Sequence, residues 1–147
     1  MLQKNHELYD SSSLNQANVK SWISNGPDSD LLKAVDNFGR DISKKVSTSQ
    51  LRQIFAKMKS IEAKGGLINK KGRGENKTAK IELLMLKPLM AYASGRHRSI
   101  KRLVERIDWA IDEVLAGKTS EKKQERFRNF CKLFESILAY HRKYGGK

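Results

Sequence analysis

The chain has one cysteine among its 147 residues and no long apolar stretch, and each scarcity excludes a class of protein. Cys131 has no partner for an intramolecular disulfide, so a reducing compartment is expected. No apolar run approaches the roughly 20 residues of a membrane span, and residues 1–10 lack the apolar core of a signal peptide. The sequence therefore predicts a cytoplasmic protein with no membrane partner.

Motifs that carry chemistry are also scarce. His6, His97 and His141 are never spaced i, i+4 from one another or from Cys131, whereas a metal site needs three or four converging ligands. The segment 64–78 is rich in glycine and lysine but lacks the residue order of a P-loop. The sequence therefore nominates no metal, no cofactor and no catalytic residue.

Three acidic residues on one predicted helix leave two interpretations open. Asp108, Asp112 and Glu113 have the composition to hold Mg²⁺ against a phosphate, or they form a solvated face with i, i+4 ion pairs. The solvated face is the commoner of the two arrangements. Cys131 lies on the apolar side of a predicted helix, a position typical of a structural thiol rather than a nucleophile. We therefore expect that the protein is not an enzyme.

Positive charge is abundant and unevenly distributed. Residues 31–147 contain 28 of the 30 Lys and Arg residues and 12 of the 16 acidic residues, a net charge of +16, whereas residues 1–30 carry −2. A compact body with this excess repels itself, and a polyanionic partner such as RNA or DNA commonly explains it. The charge alone does not distinguish between the two.

Hydrophobic periodicity predicts an all-α fold, a compact bundle of about five helices. Apolar residues recur at intervals of three and four, and no stretch sustains the period-two alternation of a strand. Ser47 and Gln50 have the spacing of a capping box at the start of the second helix. The third helix is apolar on every side, which predicts burial on every side, within the domain or against another chain. The five helices are expected at about residues 31–42, 47–64, 79–94, 99–116 and 120–143.

The expected domain organisation is an N-terminal tail, residues 1–27, followed by a single helical domain, residues 28–147. The tail is polar and weakly patterned, although Trp22 is alternatively an anchor on this or another subunit. The segment 64–78 is expected to be a flexible loop, either a solvated linker or a loop that nucleic-acid phosphates order.

Three blocks in order resemble one family, the small α-helical subunit of type III-A CRISPR effector complexes (the Csm small subunit). Residues 48–55 contain a T-S-Q-x-R helix start, residues 86–96 a K-P-x-x-A-Y-x-x-G-R helix end, and residues 127–146 a pattern similar to F-x-x-F-E-S/A-I-x-A-Y-H. In the third block Cys131, Lys132 and Leu133 lie between Phe130 and Phe134, a small departure from that pattern. The resemblance covers residues 46–146.

The resemblance implies a non-catalytic, RNA-binding subunit. Subunits of this kind form the minor filament beside backbone subunits that hold the guide RNA, self-associate with neighbouring copies, and contact the target RNA backbone without sequence specificity. The alternatives are a small subunit of another CRISPR effector type and a helical DNA-binding regulator. A small RNA-processing enzyme is a further, weaker alternative.

Phosphate-directed cations near helix ends are the expected RNA-binding residues, because sequence-neutral binding depends on the backbone rather than the bases. Two of them, Arg52 and Arg96, have an alternative role as ion-pair partners of Glu135 or Glu82. The basic run 122–128 is expected to be a solvated face or a contact with an acidic neighbour. The predicted RNA-binding residues are Lys44, Lys45, Arg52, Arg96, Arg98, Lys101 and Arg102.

Overall fold

The computed structural model describes residues 13–69 and 74–146. These residues form six α-helices and a 3-10 turn, and within them the only extended pairing is an isolated bridge between Ile68 and Glu75. The expected all-α fold is confirmed. In chain order the helices are α1 (Gln16–Asn25), α2 (Ser29–Ile42), α3 (Thr48–Ala63), α4 (Lys77–Arg96), α5 (Lys101–Leu115) and α6 (Ser120–Lys143), and the 3-10 turn Arg98–Ile100 precedes α5.

Polar side chains fix where the helices begin. Asp28 accepts a hydrogen bond from the backbone nitrogen of Leu31 at 2.8 Å and caps α2. The predicted capping box at Ser47 is present, since its hydroxyl accepts from the nitrogen of Gln50 and the Gln50 side chain accepts from the nitrogen of Ser47. Each cap satisfies a backbone donor that has no partner inside its helix.

Helix α6 is the centre of the bundle. It packs against α1, α2, α3 and α5, and its seam of Phe127, Phe130, Phe134 and Ile137 is at most 1% exposed. Gly39 of α2 lies so close to α6 that a Cβ atom there would be 2.5 Å from the Cβ of Tyr140. The glycine therefore permits the close approach of the two helices.

The structure corrects the prediction of a tail for the residues of α1. Val19, Trp22 and Ile23 are at most 1% exposed, and α1 packs against both α5 and α6. The alternative interpretation, in which Trp22 is an anchor, agrees with this packing. Three large apolar residues in ten are a weak pattern, so the sequence understates a helix whose large apolar side chains are all buried. Residues 1–12 of the expected tail lie outside the described residues.

Arg106 of α5 ties the segment before α1 to the bundle. Its guanidinium is buried, with Nε donating to the carbonyl of Leu14 at 3.0 Å and Nη1 donating to the carbonyl of Arg102 at 3.1 Å. The same group lies 5.0 Å from the ring centroid of Phe38 and 5.1 Å from that of Trp109. This cation therefore serves internal structure.

Helix α4 is buried on one side only, which corrects the expectation of burial on every side within the domain. Ala79, Leu83, Leu86 and Met90 face the core, because α4 packs against α3 and α5 at the flank of the bundle. The opposite side exposes a row of large apolar side chains at helical spacing. They are Ile81 (58% exposed), Leu84 (38%), Met85 (58%), Leu89 (45%) and Tyr92 (68%).

The described parts of the loop 64–78 are held against α6. Leu67 is 2% exposed, and its backbone nitrogen donates to the side chain of Gln124 at 2.7 Å. The nitrogen of Asn76 donates to the carbonyl of Leu67 at 2.8 Å, which closes the base of the loop. The expectation of a flexible loop covered residues 64–78, of which residues 70–73 lie outside the described residues.

Candidate nucleic-acid interface

The linker between α2 and α3 carries two exposed lysines on a fixed backbone. Lys44 and Lys45 precede Val46, which is 2% exposed and whose nitrogen donates to the carbonyl of Ile42 at 2.9 Å. The carbonyl of Val46 in turn lies 2.6 Å from Nε2 of the fully buried His141. The linker is therefore anchored to the end of α6 while both ammonium groups remain in solvent.

These lysines line a cleft that the chain builds from three separate segments. The cleft has a volume of about 740 Å³ and is bordered by Lys44 and Lys45, by His97 and Ser99 before α5, and by Gly145 after α6. We call it the lysine cleft. The three segments are far apart in the sequence, so only the fold brings them together.

A second groove, of similar volume, runs from the lysine cleft between α3 and α4. Gln50 and His97 border both spaces. The groove, of about 720 Å³, is lined by Arg96 and Lys57 and is otherwise largely apolar. We call it the α3–α4 groove, and it places the predicted residue Arg96 beside the cleft that contains Lys44.

A third depression lies around the start of α3. It is lined by Thr48, Ser49 and Arg52 of α3 and by Arg142 of α6, and it shares Gln53 with the α3–α4 groove. Arg142 is exposed and was not predicted from the sequence. The sequence signal for Arg142 is the basic last turn of α6. At that end of the helix, only the apolar residues entered the prediction.

The predicted cations of these three spaces are not engaged by carboxylates. Glu82 pairs with Lys64 at 3.1 Å and Glu135 pairs with Lys59 at 3.4 Å. The alternative role of Arg52 and Arg96 as partners of those two acids is therefore wrong. Among the described residues, no ion pair involves Lys44, Lys45, Arg52 or Arg96.

The remaining predicted cations are placed differently. Arg98 is exposed on the 3-10 turn before α5 and Lys101 is exposed at the first residue of α5; neither lines the lysine cleft. Arg102 lies on another side of α5, 3.9 Å from Asp41 and with its guanidinium 5.6 Å from the ring centroid of Phe38. The fold thus gathers Lys44, Lys45, Arg52 and Arg96 and separates Arg102 from them.

The acidic residues considered for metal chemistry are used in packing contacts. Asp112 pairs with Lys87, and Glu113 accepts from Arg126 at 3.1 Å and from the Ser24 hydroxyl at 2.7 Å. Burial raises the pKa of Asp108, the attraction of Lys87 opposes that shift, and repulsion by Asp112 adds to it. No group of three or more His, Cys, Asp or Glu side chains in residues 13–69 and 74–146 is arranged to hold a metal ion.

The basic run 122–128 and the single thiol also have structural partners. Lys122 pairs with Glu125 at 3.7 Å and Lys123 with Glu75 at 3.6 Å. Cys131 is 3% exposed, and burial, reinforced by the nearby Glu62 carboxylate, raises its pKa far above the ordinary range. A thiol in this environment stays protonated, as expected of a structural cysteine.

Fold and site together define a small, basic, all-helical protein in which four exposed cations without ion-pair partners in the described part of the chain, Lys44, Lys45, Arg52 and Arg96, gather around adjoining spaces. A family model described as Csm2 Type III-A matches residues 26–147. The chain is also similar to a protein of Enterococcus italicus described as "CRISPR system Cms protein Csm2", with 29% identity over 114 residues that cover 74% of this chain and 77% of the relative.

The chain belongs to the Csm2 family of type III-A CRISPR systems, the small subunits of a multi-subunit effector complex. The resemblance seen in the three sequence blocks is thereby confirmed, and type III-A is favoured over another effector type or a DNA-binding regulator. No solved structure matches the chain. Within the described residues, the helices are too short or too polar to cross a membrane.

Proposed function

We propose that the chain is a non-catalytic RNA-binding subunit of a type III-A effector complex, which contacts the target RNA backbone without sequence specificity. In this proposal it forms part of the minor filament, beside backbone subunits that hold the guide RNA and beside further copies of itself. It acts in the cytoplasm, where its single thiol stays reduced. The proposal rests on one observation: three adjoining spaces are lined by four cations that have no ion-pair partner within residues 13–69 and 74–146. These cations are Lys44, Lys45, Arg52 and Arg96.

The character of these cations supports backbone contact rather than base reading. Lys44 and Lys45 are flexible point charges on an exposed linker, a form of contact suited to phosphates in any sequence. Arg52 is the fifth residue of α3, and its exposed guanidinium lines the depression around the start of that helix, where it can reach a phosphate bidentately. Neutralising phosphates releases condensed counterions, and this release supplies affinity that is independent of sequence.

The non-catalytic assignment is supported by how the reactive groups are used. Asp112 and Glu113 are neutralised by Lys87 and Arg126, so neither carboxylate is free to act as a base. Cys131 is buried in the seam of α6 and keeps its proton. These three groups are thus committed to structural contacts.

The test measures target-RNA affinity of the assembled complex containing either native subunit or the Arg52→Ala/Arg96→Ala variant, across a range of salt concentrations. Each lost phosphate contact reduces the slope of log K against log salt by about 0.7 on a single strand, so we expect a reduction of about 1.4 for each copy of the subunit that contacts the strand. Circular dichroism verifies the fold of the variant.

The matched control is Lys118→Ala/Lys122→Ala, which removes the same charge. Lys122 lies about 30 Å along α6 from Arg142, and both control lysines are exposed. Equal slopes and affinities for the native complex and the Arg52→Ala/Arg96→Ala complex would overturn the proposal, as would equal losses in the two double variants.

A further inference from the structure

The α3–α4 groove has two walls that each carry a cation, and an apolar floor lies between them. Gln53 and Lys57 of α3 form one wall, and Tyr92 and Arg96 of α4 form the other. The floor consists of side chains that are at most 7% exposed, namely Ile54, Met90, Ile100 and Leu103. A volume of about 720 Å³ lies within the range of roughly 300–1,000 Å³ that small-molecule sites occupy.

The chemistry of the groove suits flat aromatic groups on an anionic chain. An apolar floor accepts the faces of rings, while the side-chain amide of Gln53 can hydrogen-bond to ring edges. Lys57 and Arg96 supply positive charge at the rim, and no carboxylate lines the groove. This combination of cations with apolar surface is complementary to single-stranded nucleic acid, in which each base carries a phosphate.

Tyr92 is the side chain best placed to hold a base. It is 68% exposed, the highest exposure among the large apolar side chains that the structure describes. Exposure of the apolar ring to water is unfavourable in the free protein. Stacking on a base removes the ring face from water and is therefore favourable. Met85 belongs to the same exposed row of α4 but does not line the groove.

The groove also continues the surface assigned to phosphates. His97 and Gln50 border both the groove and the lysine cleft. An RNA strand whose phosphates lie at Lys44 and Lys45 can therefore continue into the groove. The same strand then meets Arg96 at the far wall.

We propose that the α3–α4 groove binds unstacked bases of single-stranded RNA and that Tyr92 stacks on one of them. This inference rests on the proposed function and deepens it, because it adds base stacking to a surface otherwise assigned to phosphates. Stacking is tolerant of sequence, since every base has an aromatic face. Sequence-neutral binding is thereby retained.

The experiment uses the full chain and a single-stranded RNA that contains the fluorescent base 2-aminopurine, whose emission falls on stacking. Fluorescence anisotropy of an end label on the same RNA reports binding independently. We expect quenching on binding by the native chain. Tyr92→Ala should abolish the quenching and weaken affinity by about fivefold or more, whereas Tyr92→Phe, which keeps the ring, should match the native chain within twofold.

Met85→Ala is the matched control, because it truncates another exposed apolar side chain on the same helix, 58% exposed against 68% for Tyr92, outside the groove. It should leave both signals unchanged. An abasic RNA of equal length should bind the native chain more weakly and should be insensitive to Tyr92→Ala.

The two proposals fail in distinguishable ways. If anisotropy reports binding without quenching, or if abasic and normal RNA bind equally, base stacking is refuted while backbone contact stands. If neither signal changes at low salt, both proposals are contradicted. If Tyr92→Ala alters the sedimentation of the chain but not its RNA affinity, the groove is an interface with a second copy and the inference is wrong.

Discussion

The indole of Trp22 and the backbone of Asn129 are joined across 107 residues of sequence. Nε1 of Trp22 donates to the carbonyl of Asn129 at 2.8 Å, and the Asn129 side chain donates to the carbonyl of Ile23 at 2.9 Å. The two bonds run in opposite directions between α1 and α6. They hold the first described helix on the central one.

Replacement of Trp22 should therefore destabilise the whole bundle. Trp22→Ala removes a side chain that is 1% exposed and should lower the free energy of unfolding by about 3–5 kcal/mol. Trp22→Phe keeps most of the apolar volume but loses the indole donor, and should cost less. Urea unfolding monitored by circular dichroism measures both. Native-like stability of Trp22→Ala would show that α1 is not part of the cooperative core.

The capping box of α3 gives a prediction with an internal control. Ser47→Ala removes the acceptor for the nitrogen of Gln50 and should reduce stability by about 1 kcal/mol. Ser49→Ala changes an exposed serine two residues further on and should stay within about 0.5 kcal/mol of the native chain. Thermal unfolding of the two variants compares them directly, and equal losses would contradict the assignment of the cap.

Two glycines within helices should respond in opposite directions to substitution by alanine. At Gly39 the new Cβ would meet the Cβ of Tyr140 at 2.5 Å and the backbone nitrogen of His141 at 3.0 Å, so the variant should lose about 1–3 kcal/mol. At Gly95 nothing lies within 4 Å of the new Cβ. Gly95→Ala should therefore gain about 0.4–1 kcal/mol from reduced chain entropy and better helix propensity. Chemical denaturation distinguishes the signs, and a gain at Gly39 would refute the close approach of α2 and α6.

The thiol of Cys131 should make the protein less stable in alkali. Burial raises the pKa of this group in the folded state, so above the ordinary thiol pKa the unfolded chain releases a proton that the folded chain keeps. Stability from this group is complete below that value and declines as pH rises, by about 1–2 kcal/mol at pH 10.

The measurement compares unfolding free energies of the native chain and Cys131→Ala from pH 7 to pH 10. Other titrating groups affect both chains, so the difference between them isolates the thiol. We expect the native chain to lose its advantage over the variant as the pH increases. A difference that is constant with pH would mean that the folded chain ionises the thiol as readily as the unfolded one.

The sequence predicts those parts of the fold that local chemistry decides. The Ser47 capping box and the limits of α6 agree with the structure, because a cap and a seam depend on residues three or four positions apart. Helix α1 was not predicted because its position depends on the contact of Trp22 with Asn129, two residues that are far apart in the sequence. Local periodicity contains no information about such a pair.

The candidate site was predictable only in part for the same reason. Charge and helix ends indicated Lys44, Lys45, Arg52 and Arg96, which the fold gathers around adjoining spaces. Arg142 joins them only because α6 ends where α3 begins, a tertiary relationship. Sequence-based reasoning also treated Arg102 as equivalent to its neighbours, whereas the fold places it against Asp41 and Phe38.

Some cations of this protein are paired with carboxylates and others are not, and this difference affects the rate at which the protein meets a polyanion. Lys87 and Arg126 are neutralised by Asp112 and Glu113, while the charges of Lys44 and Arg52 are left uncompensated at the end of the bundle. The molecule therefore presents a local positive field at this end, which attracts a polyanion before the two surfaces touch. Its association rate should exceed that of an evenly charged bundle of equal net charge, and the advantage should vanish as counterions shorten the range of the field.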